Sequence, residues 1–129
     1  MSTSYLLDSS VLILLLKEDK KTRDRLEGAT GLYMSSVALG ELFYGAYHSA
    51  YIERNIIEIL ILTEDVTVLA VDNQTARIYG RFKHEQSARG LILPDNDLWI
   101  AATAIQYGLT LAARDRHFMW IAGLDLEQW

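Results

Sequence analysis

Residues 5–13 read Tyr5-Leu6-Leu7-Asp8-Ser9-Ser10-Val11-Leu12-Ile13. Three apolar residues end on a carboxylate, two hydroxyls follow, and an aliphatic run to Leu16 begins at once. A short apolar run bounded in this way reads as a buried strand, and the longer segment behind it as a helix. Similar short runs recur at Leu32 to Ser36, Val66 to Val71 and Leu109 to Ala113, bounded by glycine or charged residues. Helical spacing fills the intervals: Ser9 to Lys17, Lys20 to Ala29, Val37 to His48, Tyr51 to Thr63, Asn73 to Arg89 and Asp97 to Tyr107. Strands that alternate with helices are joined by crossovers, which makes neighbouring strands parallel. The expected fold is α/β, a three-layer α/β/α domain with a mostly parallel central sheet. With 129 residues, half of them apolar, the chain has material for one core, so a single domain over residues 1–129 is expected.

Composition narrows the function. The longest aliphatic run, Val11 to Leu16, is far short of the roughly 20 apolar residues of a membrane span, so no membrane association is expected. Met1-Ser2-Thr3-Ser4-Tyr5 places no Lys or Arg ahead of that run, which disfavours a secretory signal and favours the cytoplasm. The absence of cysteine excludes disulfides and Cys-based zinc sites. A net charge of −5 argues at first against a nucleic-acid partner. Setting aside four acids argued below to form one site leaves 13 acidic residues against 12 Lys and Arg. The remaining surface is nearly neutral, which still speaks against tight non-specific DNA binding.

Those acids are Asp8, Glu41, Asp97 and Asp115. In an open parallel sheet, ligands collect at the carboxyl ends of the strands. Asp8 directly follows the first strand, and Asp115 follows Leu109 to Ala113 with only Arg114 between. Taken alone, Asp8 reads most simply as a helix cap. Glu41 is the one acid in the otherwise apolar helix Val37 to Ala46, where a solvated stripe or an ion pair with an arginine competes with a metal as its explanation. Gly40 and Gly45 in the same helix suggest either close packing or room for a ligand. In Pro94-Asp95-Asn96-Asp97-Leu98-Trp99 the proline ends one run, and at least one of Asp95 and Asn96 is expected to cap the helix that follows. Asp97 is the choice for metal work, at a helix N-terminus that favours an ionised carboxylate and offers amides to a phosphate.

Four carboxylates at one rim would repel one another unless some are protonated or a cation joins them. Oxygen-only ligands select Mg²⁺, with Mn²⁺ as a substitute, and such an ion equips a site for metal-assisted phosphodiester hydrolysis. His48, His84 and His117 show no metal-ligand spacing and read as surface groups or as supports behind the site. No phosphate loop, dinucleotide fingerprint or serine-hydrolase elbow is present.

The pattern resembles the PIN domain, and more narrowly the VapC-type toxins of toxin–antitoxin pairs. The resemblance is carried by residues 5–13, by Ser35-Ser36-Val37-Ala38-Leu39-Gly40-Glu41-Leu42-Phe43-Tyr44-Gly45-Ala46, by residues 93–104 and by Leu109 to Phe118 with Ile121 to Leu124. These pieces follow one another in family order. The resemblance implies endoribonuclease activity on an RNA substrate, Mg²⁺ held by Asp8, Asp97 and Asp115, and Glu41 orienting a water or joining the coordination. It also implies inhibition by a VapB-like antitoxin and a homodimer or a mixed assembly with that antitoxin. One departure stands out: the family commonly has a hydroxyl two positions before the last acid, where this chain has Ala113, and Ser9 could supply a hydroxyl near Asp8 instead. The helices between Glu41 and Val66 carry more apolar residues than one buried stripe needs, enough for a dimer contact or an antitoxin groove.

Three alternatives remain open at this level. A PIN-type RNA-processing nuclease without an antitoxin would carry the same motifs. A catalytically inactive binding module would be expected to lack one or more of the four acids. A receiver-like signalling module would need a phosphoacceptor Asp after a mid-chain strand and a Lys near the last strand, whereas Glu53 to Leu62 reads as helix and no Lys follows Lys83.

Overall fold

The computed structural model describes residues 3–129; Met1 and Ser2, which open the segment read above for a signal, lie outside the described residues. Strand β1 (Ser4–Leu7) leads into α1 (Ser9–Leu16) and α2 (Lys20–Leu26). Strand β2 (Gly31–Ser35) leads into α3 (Ser36–Tyr47) and α4 (Ile52–Asp65). Then come β3 (Thr67–Leu69), α5 (Asn73–Ala88), α6 (Asp95–Tyr107), β4 (Thr110–Ala113), a 3-10 helix (Arg116–Trp120) and β5 (Leu126–Gln128). The middle region that a receiver-like module would need as a strand is helix α4.

The sheet is parallel throughout, in the order β3-β2-β1-β4-β5. Connections run outward from β1 to β2 to β3, then return to β4 on the other side of β1 and continue to β5. Crossovers of one hand put the helices of the two directions on opposite faces, giving three layers. Accordingly α1 to α4 pack among themselves, and α5 packs along α6. The direction reverses between β1 and β4, so their carboxyl ends border the crevice where such folds bind ligands.

Strands covered on both faces need apolar side chains on both. Leu6, Leu7, Leu111, Ala112 and Ala113 are completely buried, and the small residues Ala101, Ala102 and Ala104 let α6 sit close against its neighbours. Gly108 closes α6 in the left-handed conformation (φ 64°), which glycine adopts without a Cβ clash, and the chain turns directly into β4.

Two elements escape the sequence reading. Leu126-Glu127-Gln128 has no apolar run, and it becomes a strand only because its backbone pairs with β4. The 3-10 helix begins where the Asp115 carboxylate accepts a hydrogen bond from the His117 amide at 2.9 Å, a local capping contact. Helix α6 also starts two residues earlier than its apolar spacing suggests.

Candidate metal centre

Asp8 ends β1, and its amide still bonds the Ala112 carbonyl at 3.0 Å, so its backbone is fixed by the sheet itself. It occupies the N-cap position of α1, but its side chain makes no capping hydrogen bond. The carboxylate takes the Ser10 hydroxyl on Oδ2 at 3.1 Å, while Oδ1 is buried without a partner. The hydroxyl beside Asp8 therefore comes from Ser10 and not from Ser9. Burial pushes the Asp8 carboxyl above its ordinary range, and the Asp115 charge adds to this. The nearby Ser9 and Ser10 amides and the Ser10 hydroxyl pull the other way.

Glu41 projects from α3, the helix that β2 feeds. Among the described residues no Lys or Arg forms an ion pair with it, and its Oε1 is a second buried oxygen without a partner. Burial raises its pKa, and the Asp8 charge raises it further. The arginine ion pair considered from the sequence is therefore not its explanation.

Asp97 lies in the first turn of α6, where the helix dipole favours a negative charge. Burial nevertheless pushes its pKa up to about 6, reinforced by Asp8, then Asp115, then Glu41, and opposed by His117. Desolvation and three neighbouring acids outweigh the dipole. Asp115 stands at the start of the 3-10 helix, with His117 Nδ1 3.0 Å from its Oδ1. The four acids named from the sequence thus act on one another electrostatically at the β1–β4 crevice.

The chain fits a hard divalent cation on chemical grounds. Among the described residues two buried carboxylate oxygens lack a partner, three of the acids have raised pKa values, and the donors are all oxygen. Among the described residues no three Asp, Glu or His side chains already stand close enough to enclose an ion. A partly protein-coordinated Mg²⁺ does not require a closed cage, because that ion keeps several waters.

Neither Asp95 nor Asn96 caps α6. Pro94 takes the cap position, which places both residues inside the first turn, where their oxygens no longer reach the free amides. Asp95 Oδ1 instead accepts hydrogen bonds from Lys83 Nζ and the Tyr79 hydroxyl, each at 3.0 Å. Gly40 and Gly45 do not serve close packing: a Cβ at either would meet nothing within 4 Å. They line a cavity of about 740 Å³ between α1, α3 and α4, whose wall also includes Ser9, Ile13, Tyr44, Ile59 and Glu41. Ala113 is fully buried in β4 and brings no hydroxyl to the site. The place of His117 beside Asp115 was legible only as a histidine two residues after an acid, a weak signal.

The PIN domain family model matches residues 5–124. Ribonuclease VapC2 of Haemophilus influenzae is 34% identical over 128 residues, covering 97% of each chain. The tRNA(fMet)-specific endonuclease VapC of Shigella flexneri is 31% identical over 128 residues, also covering 97% of each. In structure, VapBC2 from Rickettsia felis, crystallised with a promoter DNA fragment, superimposes with a TM-score of 0.92 at 28% identity, over 98% of this chain and 99% of that one.

Proposed function

The chain belongs to the PIN domain family, and on that premise we propose that it is a metal-dependent endoribonuclease and the toxin of a VapBC-type toxin–antitoxin pair. The observation that carries the reading is the group of like-charged carboxylates near the sheet's switch point, Asp8 buried and the others half-buried, two of which keep a buried oxygen without a partner among the described residues. Hydrophobic packing gains nothing from such a group, whereas a bound cation makes it favourable. Asp8, Asp97 and Asp115 would hold Mg²⁺ or, in its place, Mn²⁺. Bound there, the ion supplies Lewis-acid polarisation of a phosphoryl oxygen and lowers the pKa of water. Glu41, with one buried oxygen left without a partner and the Asp8 charge acting on it, would orient the attacking water. The amide end of α6 favours an approaching phosphate.

The antitoxin partner is supported by the surface around α3 and α4. Tyr44, Tyr47, Tyr51, Ile57, Leu60 and Ile61 are all more than half exposed, large apolar side chains that the fold itself leaves uncovered on or beside these two helices. An amphipathic antitoxin segment seated on this face, and in the adjoining cavity that reaches Glu41, would cover it and block the site together. The same face would serve a homodimer. No helix among the described residues is long and apolar enough to cross a membrane, and an RNA substrate with a cysteine-free chain fits the cytoplasm.

The test is cleavage of total cellular RNA by purified, antitoxin-free protein with Mg²⁺, with Mn²⁺ and with EDTA, alongside Asp97→Asn. Cutting that needs the metal and is lost in the variant supports the nuclease. Absence of cutting by folded protein with either metal favours the inactive binding module.

A further inference from the structure

Helix α5 carries none of the four acids, yet it contacts both segments that carry the later two. Its residues Tyr79, Lys83 and Gln86 follow one another at four- and three-residue spacing and so lie along one stripe of the helix. At one end of the stripe, Lys83 Nζ and the Tyr79 hydroxyl both donate to Asp95 Oδ1 at 3.0 Å, and the Tyr79 ring stacks on Trp99 at 3.8 Å with the planes 1° apart. Asp95 and Trp99 flank Asp97 on α6 by two residues on either side. At the other end, Gln86 Nε2 donates to the Trp120 carbonyl at 3.1 Å, as does Arg89 Nη1 at 3.1 Å. Trp120 is the last residue of the 3-10 helix that Asp115 begins.

Both segments need such support from outside. Helix α6 opens without a side-chain cap, so its first turn has no local lock. The 3-10 helix has poorer hydrogen-bond geometry than an α-helix, and the Asp115 cap secures only its start. Gln86 is buried, with only 3% of its surface exposed, and among the described residues its Oε1 has no partner, so its side chain's bond is the one to the Trp120 carbonyl.

We propose that α5 is a brace that sets the positions of Asp97 and Asp115 relative to Asp8, with Lys83 and Gln86 as its positioning residues. The proposal rests on the metal-centre reading above. Like charges that repel will drift apart unless the backbone holds them, and ligand sets that are held in place bind their ion more tightly. The Lys83–Asp95 pair is more than half exposed on both sides and so adds little to folding stability. Its loss is therefore expected to appear in metal affinity before it appears in unfolding.

The experiment is calorimetric titration of the full chain with Mn²⁺, together with thermal unfolding, for the unaltered protein, Lys83→Met, Lys83→Arg and Gln86→Leu. While folded, Gln86→Leu is expected to bind Mn²⁺ roughly tenfold more weakly and Lys83→Met about threefold more weakly, because the exposed Lys83–Asp95 pair can contribute no more to holding the ligands than the pair itself is worth. Lys83→Arg keeps a donor for Asp95 and is expected to restore the affinity. Should Gln86→Leu fail to fold, the exposed Arg89→Met tests the same carbonyl contact. Unchanged Mn²⁺ affinity in folded Lys83→Met overturns the brace. No Mn²⁺ binding by the unaltered protein overturns the metal-centre reading and takes the brace with it, so the two failures are told apart.

Discussion

Glu127 on β5 has both carboxylate oxygens engaged: Oε2 accepts from the Tyr5 hydroxyl at 2.8 Å and Oε1 from the Trp129 indole at 3.0 Å. Arg25 lies 4.6 Å over the Trp129 ring, and Tyr5 meets the same ring edge-on. Three residues along β1 from Tyr5, Asp8 keeps one oxygen buried and unpartnered, and Glu41 does the same from α3. The sheet thus supports two kinds of buried-side acid. One has both oxygens satisfied by neutral donors from its own chain and ties β5 and the C-terminal tryptophan to β1. The other lies among further acids with one oxygen left without a partner, so burial and like charge disfavour its ionised form until a cation binds. A satisfied carboxylate here serves structure, and an unsatisfied one stores unfavourable energy that a ligand can release.

The sharpest way to break this contrast is to remove one acid from each group. Asp97→Asn is expected to lower RNA cleavage at least about 100-fold, since even groups that merely support a metal ligand carry about 10- to 100-fold. Its metal-free unfolding temperature should hold or rise, because a like charge has been taken out of a crowded site. Unfolding of Asp97→Asn would instead assign that acid a structural role. Glu127→Ala should behave in the opposite way: a loss of about 1–2 kcal/mol in urea unfolding from two missing hydrogen bonds, with cleavage kept. If Glu127→Ala abolished cleavage without loss of stability, the division between the two groups would fail.

Acidity sharpens the contrast further. The folded pKa of Asp97, about 6, lies above its ordinary 3.8, so the folded state holds this proton more tightly than the unfolded chain does. The stability this contributes is present at low pH and is lost as pH rises from about 4 through about 6, with no further change above. Asp8 and Glu41 are shifted in the same direction. Between pH 5 and pH 7.5, metal-free protein should therefore lose about 1 kcal/mol relative to Asp97→Asn, after allowance for the partial exposure of the group. Equal pH profiles for the two proteins in denaturant melts would show that Asp97 is not crowded. The smallest effect belongs to Ser10→Ala, which removes the donor to Asp8 Oδ2. A loss of Mn²⁺ affinity of about threefold is expected, with little change in unfolding; a result indistinguishable from the unaltered protein would mark that hydroxyl as incidental.

The fold was largely legible because four of the five strands are written as short apolar runs, three of them ending near an acid as in Tyr5-Leu6-Leu7-Asp8. Parallel strands buried on both faces leave that signature, and α1 to α6 follow the apolar spacing to within a few residues. Strand β5 was not legible, since Leu126-Glu127-Gln128 owes its form to backbone pairing with β4 rather than to its own side chains. The acids could be named because charged residues inside apolar runs are costly and therefore conspicuous. What surrounds them was harder to read. The choice of Ser10 over Ser9 depends on which hydroxyl the first turn of α1 aims at Asp8. The turn of Asp95 toward Lys83 depends on α5 lying alongside α6, a tertiary fact that no local pattern records.

The most direct test of the central claim is the unfolding temperature at pH 7.5 with increasing Mn²⁺, measured on the unaltered protein and on Asp8→Asn. A ligand that binds only the folded state stabilises it by about 2.7 kcal/mol at 100 times its Kd. The unaltered protein is expected to show a saturating rise, and Asp8→Asn little or none. Equal rises in both, or none in either while both are folded, would contradict a cation site at the β1–β4 crevice.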